Sequence, residues 1–436
     1  MYKMDMKINE RWAQILPKKR AKIINRLAGL LRKNSKKIAE TMAGEIGKPI
    51  NAGRHEVEIS ARRVSDFCSY IPDCLEDEVV FEDESEKNMI RYEPAGAVAV
   101  ISPWNAPVFV SLAGIIPPLL CGNTIIWKPS EHAAKTGKVL AAVIKKLENS
   151  GLPKRSFQVR YGGPKTGRDL AASDAAAVSL TGSVRAGQEV MKTSAAKLHR
   201  LVLELGGKDP AIVLNDADIS QAARQIAKSA TMYSGQVCFG VERVYCQTKA
   251  YDKFVKACVE EIKKIKIGDP FDESVEMGPM SVKFQYNKVL DHIREAKAKG
   301  AKILSGGQAM DLPGYFINPA VLVDVNHSMK IMKEETFGPI IPIMKFSSIE
   351  QAVKLANDTD YGLTASIWTK NIKRGEAVAK QIQAGTVEIN RHGMSKAALP
   401  WGGYKMSGLG RIYSKEGIRG AFTNIKHIWT VKNKIL

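Results

Sequence analysis

The sequence is poor in cysteine and in aromatic residues, and it contains no repeat or low-complexity segment. Six cysteines occur among 436 residues, none of them paired as CxxC. This excludes a disulfide-built scaffold and favours a reduced intracellular setting. Aromatic residues make up 7% of the chain, which disfavours a nucleic-acid surface built from interleaved basic and aromatic side chains. With 44% hydrophobic and 25% charged residues, the composition is that of a globular protein. The length of 436 residues predicts two or three domains.

An uninterrupted apolar helix is also missing. Residues 95–127 carry no charge, but four prolines break the stretch, so we expect a buried strand, a loop and a packed helix rather than a membrane span. The N-terminus lacks a signal-peptide pattern. Residues 18–37 are basic and amphipathic, which favours a surface helix over a membrane-surface helix. We therefore expect a soluble, cytoplasmic protein with no membrane partner.

Basic residues outnumber acidic ones by 65 to 45, which gives a formal net charge of +20. Such an excess of positive charge is compatible with nucleic-acid binding. However, the basic residues are spread along the chain and fall on amphipathic segments such as 18–37 and 251–266. We interpret the charge as a surface property that favours solubility and attracts an anionic cofactor or substrate. No nucleic-acid partner is expected.

Short apolar runs rich in β-branched residues alternate with helical patterns. Strands are predicted at residues 97–101, 124–127, 176–180, 201–205, 211–214 and 243–247, and helices at residues 133–148, 187–193, 219–229 and 251–265. This alternation predicts an α/β fold with parallel sheets covered by helices. Residues 75–93 are strongly acidic and alternate polar with apolar residues, so we expect exposed strands that pair with another chain.

A glycine-rich turn follows the predicted strand 176–180. Gly182, Ser183 and Gly187 open the next helix, where backbone can approach a phosphate closely and the helix N-terminus supplies partial positive charge. The spacing is GxxxxG rather than GxGxxG, so a structural turn stays an alternative.

Lys128, Ser130 and Glu131 follow another uncharged strand. Ligands of open α/β sheets bind at the carboxyl ends of such strands. A glutamate there can accept both hydroxyls of an adenosine ribose and would repel a 2′-phosphate. Ordinary loop chemistry is the alternative.

Cys238 ends a loop of small residues, 234–238. Most lone cysteines are buried and inert, but Glu204 closes an apolar strand, a placement that favours a general base of raised pKa. Asn105 can donate its amide to a developing oxyanion. A cysteine hydrolase is an alternative, but it would need a histidine base. The histidines are scattered without ligand spacing, so no metal site is expected.

Together, these residues resemble the aldehyde dehydrogenase superfamily over nearly the whole chain. Seven motifs occur in family order: PWN (103–105), KPSE (128–131), TGS (181–183), LELGGK (203–208), GQVC (235–238), ETFGP (335–339) and GGYKMSG (402–408). The resemblance implies two doubly wound parallel-sheet domains and a small β oligomerisation element. The NAD-binding domain would comprise residues 1–74 and 95–206, the catalytic domain residues 207–410, and the bridging element residues 75–94 and 411–436. A homodimer or homotetramer is implied.

The resemblance also implies oxidation of an aldehyde to a carboxylic acid, with hydride transfer to NAD, or alternatively to NADP. Cys238 would attack the aldehyde carbon, and Asn105 with the backbone N–H of Cys238 would stabilise the oxyanion. Glu204 would activate the water that hydrolyses the resulting thioester. Relatives that transfer the acyl group to coenzyme A typically lack this glutamate, so the resemblance implies a non-acylating enzyme. An inactive relative is disfavoured because all three residues are present.

Cofactor contacts follow from the same motifs. Lys128 and Glu131 would hold the adenosine ribose, Ser183 and Trp104 the pyrophosphate, and Glu335 the nicotinamide ribose, with Phe337 beside the nicotinamide. The further cofactor positions are Ile101, Ser130, Gly182, Gly187, Leu205, Gly206 and Gln285, with Lys288 assisting.

The expected substrate pocket is largely apolar, with plain core packing as the alternative. It comprises Ala106, Val110, Met232, Val237, Phe239, Ser395 and Trp401. Ala106 stands where a large aromatic residue is common in the family, which implies a wider entrance. Arg391 and His392 are candidates to meet an anionic aldehyde, with surface exposure as the alternative.

The sequence departs from the family pattern at two further places, and each departure predicts a structural difference. Gly114 and Ile412 stand where many members have a lysine and a glutamate that act together in a proton path, so a different proton exit is expected. Members usually have additional N-terminal residues that form early strands, so the edge of the cofactor domain is expected to differ.

Overall fold

The computed structural model describes residues 6–393 and 396–432, which contain fifteen α-helices and sixteen strands. The first half contains α1 (Met6–Ala13), α2 (Pro17–Lys33), α3 (Ser35–Ile46), α4 (Ile50–Cys74), β1 (Glu78–Glu82), β2 (Glu86–Pro94), β3 (Ala97–Ile101), α5 (Phe109–Leu120), β4 (Thr124–Lys128), α6 (Ala134–Lys145), β5 (Phe157–Val159), α7 (Pro164–Ala171), β6 (Ala177–Thr181), α8 (Val184–Ala195) and β7 (Arg200–Glu204). The second half contains β8 (Asp209–Val213), α9 (Ile219–Thr231), β9 (Val241–Gln247), α10 (Tyr251–Lys263), α11 (Lys283–Ala298), β10 (Lys302–Ser305), β11 (Ala320–Val323), α12 (Lys330–Lys333), β12 (Ile340–Phe346), α13 (Ile349–Asn357), β13 (Thr364–Trp368), α14 (Ile372–Ala379), β14 (Thr386–Ile389), β15 (Gly408–Leu409), α15 (Lys415–Phe422) and β16 (Thr423–Val431).

A six-stranded sheet has the order β15-β7-β6-β3-β4-β5, and all its neighbours are parallel except β15 and β7. In register, Ile101 lies beside Lys128, and Thr181 lies beside Glu204. The carboxyl ends of these strands therefore meet at one edge, which is the edge that binds ligands in open α/β sheets.

A seven-stranded sheet has the order β10-β11-β12-β9-β8-β13-β14, and only β10 is antiparallel to its neighbour. Successive residues of β8 pack into different hydrophobic cores on the two faces of the sheet, with Ala211 and Val213 on one face and Ile212 on the other. This burial on both faces explains why the strands are continuous apolar runs.

The third sheet is small and antiparallel, in the order β1-β2-β16. The predicted exposed strands of residues 75–93 correspond to β1 and β2, whose Val80 and Phe81 are exposed. The prediction of an α/β fold with two mainly parallel sheets and a small separate β-sheet is confirmed. The domain limits stay a prediction. The chain returns to the first sheet through β15, which pairs with β7.

The charge-free residues 95–127 form β3, a loop, α5 and β4, as expected. Pro117 and Pro118 lie inside the last turns of α5 rather than ending it. Within residues 6–393 and 396–432, no helix has the combined length and hydropathy that crossing a membrane requires. The amphipathic residues 18–37 form not one helix but parts of α2 and α3, which meet at Asn34.

Candidate active site

Cys238 follows a tight turn after α9. Tyr233 and Ser234 adopt left-handed conformations with φ of 50° and 59°, and Gly235 follows with φ of 73°. A Cβ on Gly235 would lie 2.1 Å from the carbonyl carbon of Gly338, so only glycine fits at this close approach. The turn orients the loop that carries the thiol.

The side chain of Asn105 contacts the same loop. Asn105 is buried, and its Nδ2 donates a hydrogen bond of 2.8 Å to the carbonyl oxygen of Gln236. An amide nitrogen has two hydrogens, so this bond orients the group and leaves one N–H to donate. Within the part of the chain that the structure describes, no group accepts the backbone N–H of Cys238.

Glu204 ends β7 and is buried, with 5% of its surface exposed. Neither of its carboxylate oxygens has a hydrogen-bond partner among the described residues. Burial raises the pKa of Glu204 well above its ordinary value, while the charge of Arg411 and the side chain of Trp401 oppose the shift. A carboxyl group in this state can take up a proton at neutral pH.

Burial also raises the pKa of the Cys238 thiol, and the nearby carboxylates of Asp209, Glu204 and Glu335 raise it further. The free thiol is therefore protonated at neutral pH, and a base has to accept its proton before it can act as a nucleophile.

Cys238, Glu204 and Asn105 line one cavity of about 800 Å³. Of the predicted pocket residues, Ala106, Val110, Met232, Val237, Phe239 and Trp401 line it as well. The rings of Phe239 and Trp401 meet edge-on, with centroids 6.0 Å apart. Ser395, the seventh predicted residue, lies outside the described residues.

Arg391 and His392 are not among the described residues that line this cavity. Arg391 is exposed and lies 3.3 Å from the carboxylate of Glu388. The Nε2 of His392 donates to the carbonyl oxygen of Phe239 at 2.5 Å, and burial lowers the pKa of this histidine to about 4. His392 is therefore a neutral packing residue.

Gly114 and Ile412 both line the cavity. A Cβ on Gly114 would lie 2.8 Å from Cγ1 of Val100, so α5 approaches β3 closely at this point. Ile412 is buried and forms an isolated backbone bridge with Trp401. The two positions where many relatives carry a charge are thus uncharged and packed.

The predicted ribose-binding residues lie together where β4 ends. Lys128 is buried, and its Nζ donates to Oε2 of Glu131 at 3.0 Å and to the carbonyl oxygen of Pro129 at 3.2 Å. Ser130 caps a short 3-10 helix, Glu131–Ala133, by accepting the backbone N–H of His132 at 3.2 Å. Glu131 stays partly exposed at the sheet edge.

The predicted pyrophosphate turn precedes α8. The Oγ of Ser183 accepts the backbone N–H of Ala186 at 3.3 Å, which makes Ser183 the N-cap of the helix. Gly182 donates its N–H to the carbonyl oxygen of Glu204. A Cβ on Gly187 would lie 2.7 Å from Cδ1 of Leu205, so this glycine lets α8 pack closely against the strand end.

The predicted nicotinamide-side residues are contributed by distant segments. Phe337 has a φ of 54°, and its ring lies perpendicular to that of Trp104 at 5.8 Å. Gln285 Nε2 donates to the carbonyl oxygen of Thr336 at 2.7 Å. Glu335 accepts the N–H of Gly207 at 3.1 Å, and burial, assisted by the charge of Glu242, raises the pKa of Glu335 to about 7.

Comparison with known proteins decides which family these features belong to. Residues 5–428 match the aldehyde dehydrogenase family. The chain belongs to this family. Human retinaldehyde dehydrogenase 3 is 35% identical over 425 residues, which cover 97% of this chain and 82% of that protein. The structure of lactaldehyde dehydrogenase from Escherichia coli superposes with a TM-score of 0.93 at 32% identity, covering 98% of this chain and 89% of that one.

A further structure is similar to this aldehyde dehydrogenase and contains a cofactor. Betaine aldehyde dehydrogenase of Staphylococcus aureus, solved in complex with NAD+, has a TM-score of 0.93 and 32% identity, covering 99% of this chain and 89% of that one. Membership of the family makes the chain an enzyme that oxidises aldehydes, as the resemblance implied.

One residue that no motif indicated, Glu242, organises the site of this aldehyde dehydrogenase. Glu242 accepts the backbone N–H groups of Thr336 and Phe337 at 2.7 and 2.6 Å and also the Nζ of Lys208 at 2.6 Å. It thus holds the segment that carries Phe337. A signal was available, because Glu242 and Arg243 are adjacent charges in an otherwise apolar strand, β9.

Proposed function

We propose that this aldehyde dehydrogenase converts its substrate to a carboxylic acid through covalent chemistry on Cys238, with NAD as the hydride acceptor. One observation carries the proposal: a thiol, an oriented amide and a buried carboxylate without a hydrogen-bond partner among the described residues all line one cavity.

The first step needs a base for the thiol. Glu204 supplies it, since burial raises the pKa of this carboxyl group toward that of a useful general base. The thiolate attacks the aldehyde carbon, a C–S bond forms, and the carbonyl oxygen becomes an oxyanion. The free amide hydrogen of Asn105 and the backbone N–H of Cys238 stabilise that charge.

The residues of the sheet edge fit a dinucleotide. The N-terminus of α8 follows a glycine and a serine, and an exposed carboxylate at Glu131 can accept ribose hydroxyls. A Cβ on Gly206 would lie 2.5 Å from Oε1 of Glu335, so the absence of a side chain there keeps the Glu335 carboxylate in position. When bound, NAD would supply a hydride acceptor: loss of the hydride from the carbon attached to Cys238 would re-form the C=O bond and leave a thioester on Cys238. The NAD+ complex of the staphylococcal relative supports this choice of cofactor.

The second half of the reaction is hydrolysis. Glu204 first has to release the proton that it took from the thiol. It then takes a proton from water, the hydroxide adds to the thioester carbon, and the C–S bond breaks. The proton on Glu204 passes to the departing thiolate, so the carboxylic acid and the thiol are released. Because Gly114 and Ile412 carry no charge, we propose that the proton leaves Glu204 through water in the cavity. The hydroxyls of Ser179 and Thr181, which also line it, border this path.

Two predictions on organisation stay proposals. We propose that the first parallel sheet binds the cofactor and the second carries Cys238 and its loop. We further propose that the three-stranded sheet bridges subunits of a homodimer or homotetramer, supported by exposed apolar residues on its strands, such as Phe81 and Trp429. Sedimentation of the full chain would test this, and a monomer at micromolar concentration would contradict it.

The mechanism is tested by Cys238→Ala, assayed by formation of reduced nicotinamide with NAD and a panel of aldehydes. We expect a loss of at least about a thousandfold in kcat with NAD binding retained. Cys68→Ala is the matched control, since Cys68 is another partly buried free thiol, and should keep its activity. Undiminished turnover by Cys238→Ala would refute the mechanism.

A further inference from the structure

The cavity that holds Cys238 reaches the protein surface, and its outer part differs in character from its inner part. At about 800 Å³ it is as large as sites that bind drug-sized ligands. A two- or three-carbon aldehyde would leave most of it empty. Besides Asn105 and Glu204, the less exposed part of the lining is largely apolar and includes Phe109, Val110, Met232 and Phe239.

Apart from the buried Glu204, the charged residues that line the cavity are exposed or partly exposed and mark its outer end. We define the cavity mouth by its six titratable residues, which are His55, Arg224, Lys228, Glu261, Lys264 and Glu276. Four of them can carry positive charge and two negative charge.

The acidic residues of the cavity mouth already have partners. Glu261 forms an ion pair of 2.6 Å with Lys264, and Glu276 accepts the backbone N–H of Lys266 at 3.1 Å. Arg224 and Lys228 lie one turn apart on α9, and both are exposed. Neither side chain forms an ion pair or a hydrogen bond with any other residue in the described ranges, so both cations are available to a ligand.

The geometry of α9 sets the distance along the helix between these cations and Met232, which lines the same cavity as Cys238. Met232, on the inner wall, follows the helix directly, and Arg224 precedes it by eight residues. At 1.5 Å per residue this separation is about 12 Å, and for Lys228 it is about 6 Å. A substrate that reaches from Cys238 to the cavity mouth therefore needs an apolar body of several methylene groups.

We infer that the cavity of this enzyme is built for an amphipathic aldehyde with an anionic group at the end of the chain opposite the aldehyde. Such a substrate would place its aldehyde at Cys238, its methylene chain along the apolar walls and a terminal carboxylate beside Arg224 and Lys228. This inference rests on the proposed function and adds a substrate class to it.

The test compares pairs of aldehydes of equal chain length with saturating NAD. We expect kcat/KM for 8-oxooctanoate to exceed that for octanal by about fivefold, the scale of an exposed ion pair, and the excess to shrink at high salt. For 4-oxobutanoate against butanal we expect the reverse order, because the shorter carboxylate would lie against apolar walls. Equal kcat/KM for octanal and 8-oxooctanoate would overturn the inference.

The double variant Arg224→Glu, Lys228→Glu should lower kcat/KM for 8-oxooctanoate about tenfold, mainly through KM, and leave octanal within about twofold. Lys22→Glu, Arg26→Glu on α2 is the matched control, with the same spacing, exposure and charge change. It should alter neither substrate. If the α9 variant and the α2 control lowered kcat/KM by the same factor, for 8-oxooctanoate and octanal alike, the inference would be overturned.

A second measurement keeps this inference separate from the proposed function. If octanal turns over and Cys238→Ala abolishes the turnover, the proposed function stands whatever the substrate preference. If no aldehyde turns over, calorimetry with octanedioate and octanoate still measures binding at the cavity mouth. We expect octanedioate to bind about fivefold more tightly, and to lose that advantage in the double variant. Equal binding of the two acids would overturn the inference.

Discussion

The side-chain amide of Asn105 donates to the carbonyl oxygen of Gln236 at 2.8 Å, across 131 residues of sequence. Gln236 lies two residues before Cys238, so one hydrogen bond couples the group that would stabilise the oxyanion to the loop that carries the nucleophile. The loop is held in turn by Gln236, whose Oε1 accepts the N–H of Ser281 at 3.0 Å. Positioning of this kind is what electrostatic stabilisation of a transition state requires.

Replacement of Glu204 by glutamine should slow both halves of the reaction, because Glu204 is the proposed base for the thiol and for water. The amide cannot accept a proton, so hydrolysis of the thioester should slow by about a hundredfold to ten-thousandfold. Formation of the first equivalent of reduced nicotinamide, measured by rapid mixing, should slow as well, because only water is left to accept the proton of the Cys238 thiol. Wild-type steady-state turnover by this variant would contradict the role of Glu204.

The pH dependence of hydrolysis should report the environment of Glu204. Burial raises the pKa of this group and the charge of Arg411 lowers it, and the deprotonated form is the active base. The rate should therefore fall as pH decreases through the raised pKa, at a pH well above the ordinary range of a glutamate.

The contribution of Arg411 to this profile is separately testable. Arg411→Gln removes a positive charge, so the pKa of Glu204 should rise further and the acid limb of the profile should move to higher pH. Arg411 also donates to the carbonyl oxygens of Gly403 and Gly410. Arg411→Lys is therefore the control that keeps the charge while changing those bonds, and it should move the limb less. Identical profiles for the two variants would mean that the charge is not responsible.

Glu131 should govern the choice between NAD and NADP. Its carboxylate would repel a 2′-phosphate, so the wild type should prefer NAD, and Glu131→Ala should narrow the NAD to NADP ratio of kcat/KM by about tenfold. Glu376→Ala, an exposed substitution on α14, should leave the ratio unchanged. A wild-type preference for NADP would refute this role for Glu131.

Two glycines should respond in opposite directions to an added methyl group. Gly187→Ala would force Leu205 out of its buried position, because two carbons of that side chain lie within 3.0 Å of the new Cβ. We expect a loss of about 1–3 kcal/mol in the free energy of unfolding. Gly29, inside α2, has no neighbouring atom within 4 Å of the position that a Cβ would take, so Gly29→Ala should stabilise by about 0.5–1 kcal/mol. Urea unfolding curves would measure both, and a stabilised Gly187→Ala would contradict the packing described.

Much of the fold was predictable because local pattern and tertiary environment agree. The strand predicted at residues 97–101 coincides with β3, since a β-branched run buried on both faces is readable without knowing its neighbours. The break at Asn34 was not predicted, because the apolar spacing continues across it. Pro117 and Pro118 differ from expectation for the opposite reason: burial of α5 tolerates prolines that an isolated helix would not.

The residues of the site likewise comprise some that the sequence predicted and some whose role only the structure shows. Cys238, Glu204 and Asn105 were identifiable from motifs. The charge of Glu242 in an apolar strand marked it as unusual, but its role could not be predicted, because that role depends on two backbone N–H groups contributed by residues more than ninety positions away. His392 was a candidate for binding an anionic aldehyde, but it is half-buried and its ring donates to the carbonyl oxygen of Phe239.

By itself, the sequence determined the alternation of strands and helices, the glycines that only tight turns and close approaches require, and the order of motifs that marks the family. These properties are local, since they depend on side-chain periodicity and backbone freedom within a few residues. The tertiary structure alone decided that Glu204 is buried without a partner among the described residues and that Arg224 and Lys228 stand at the mouth of an apolar cavity. A carboxyl group is desolvated, and charged side chains are brought to one cavity, only when distant segments pack together. No local sequence pattern can therefore predict either property.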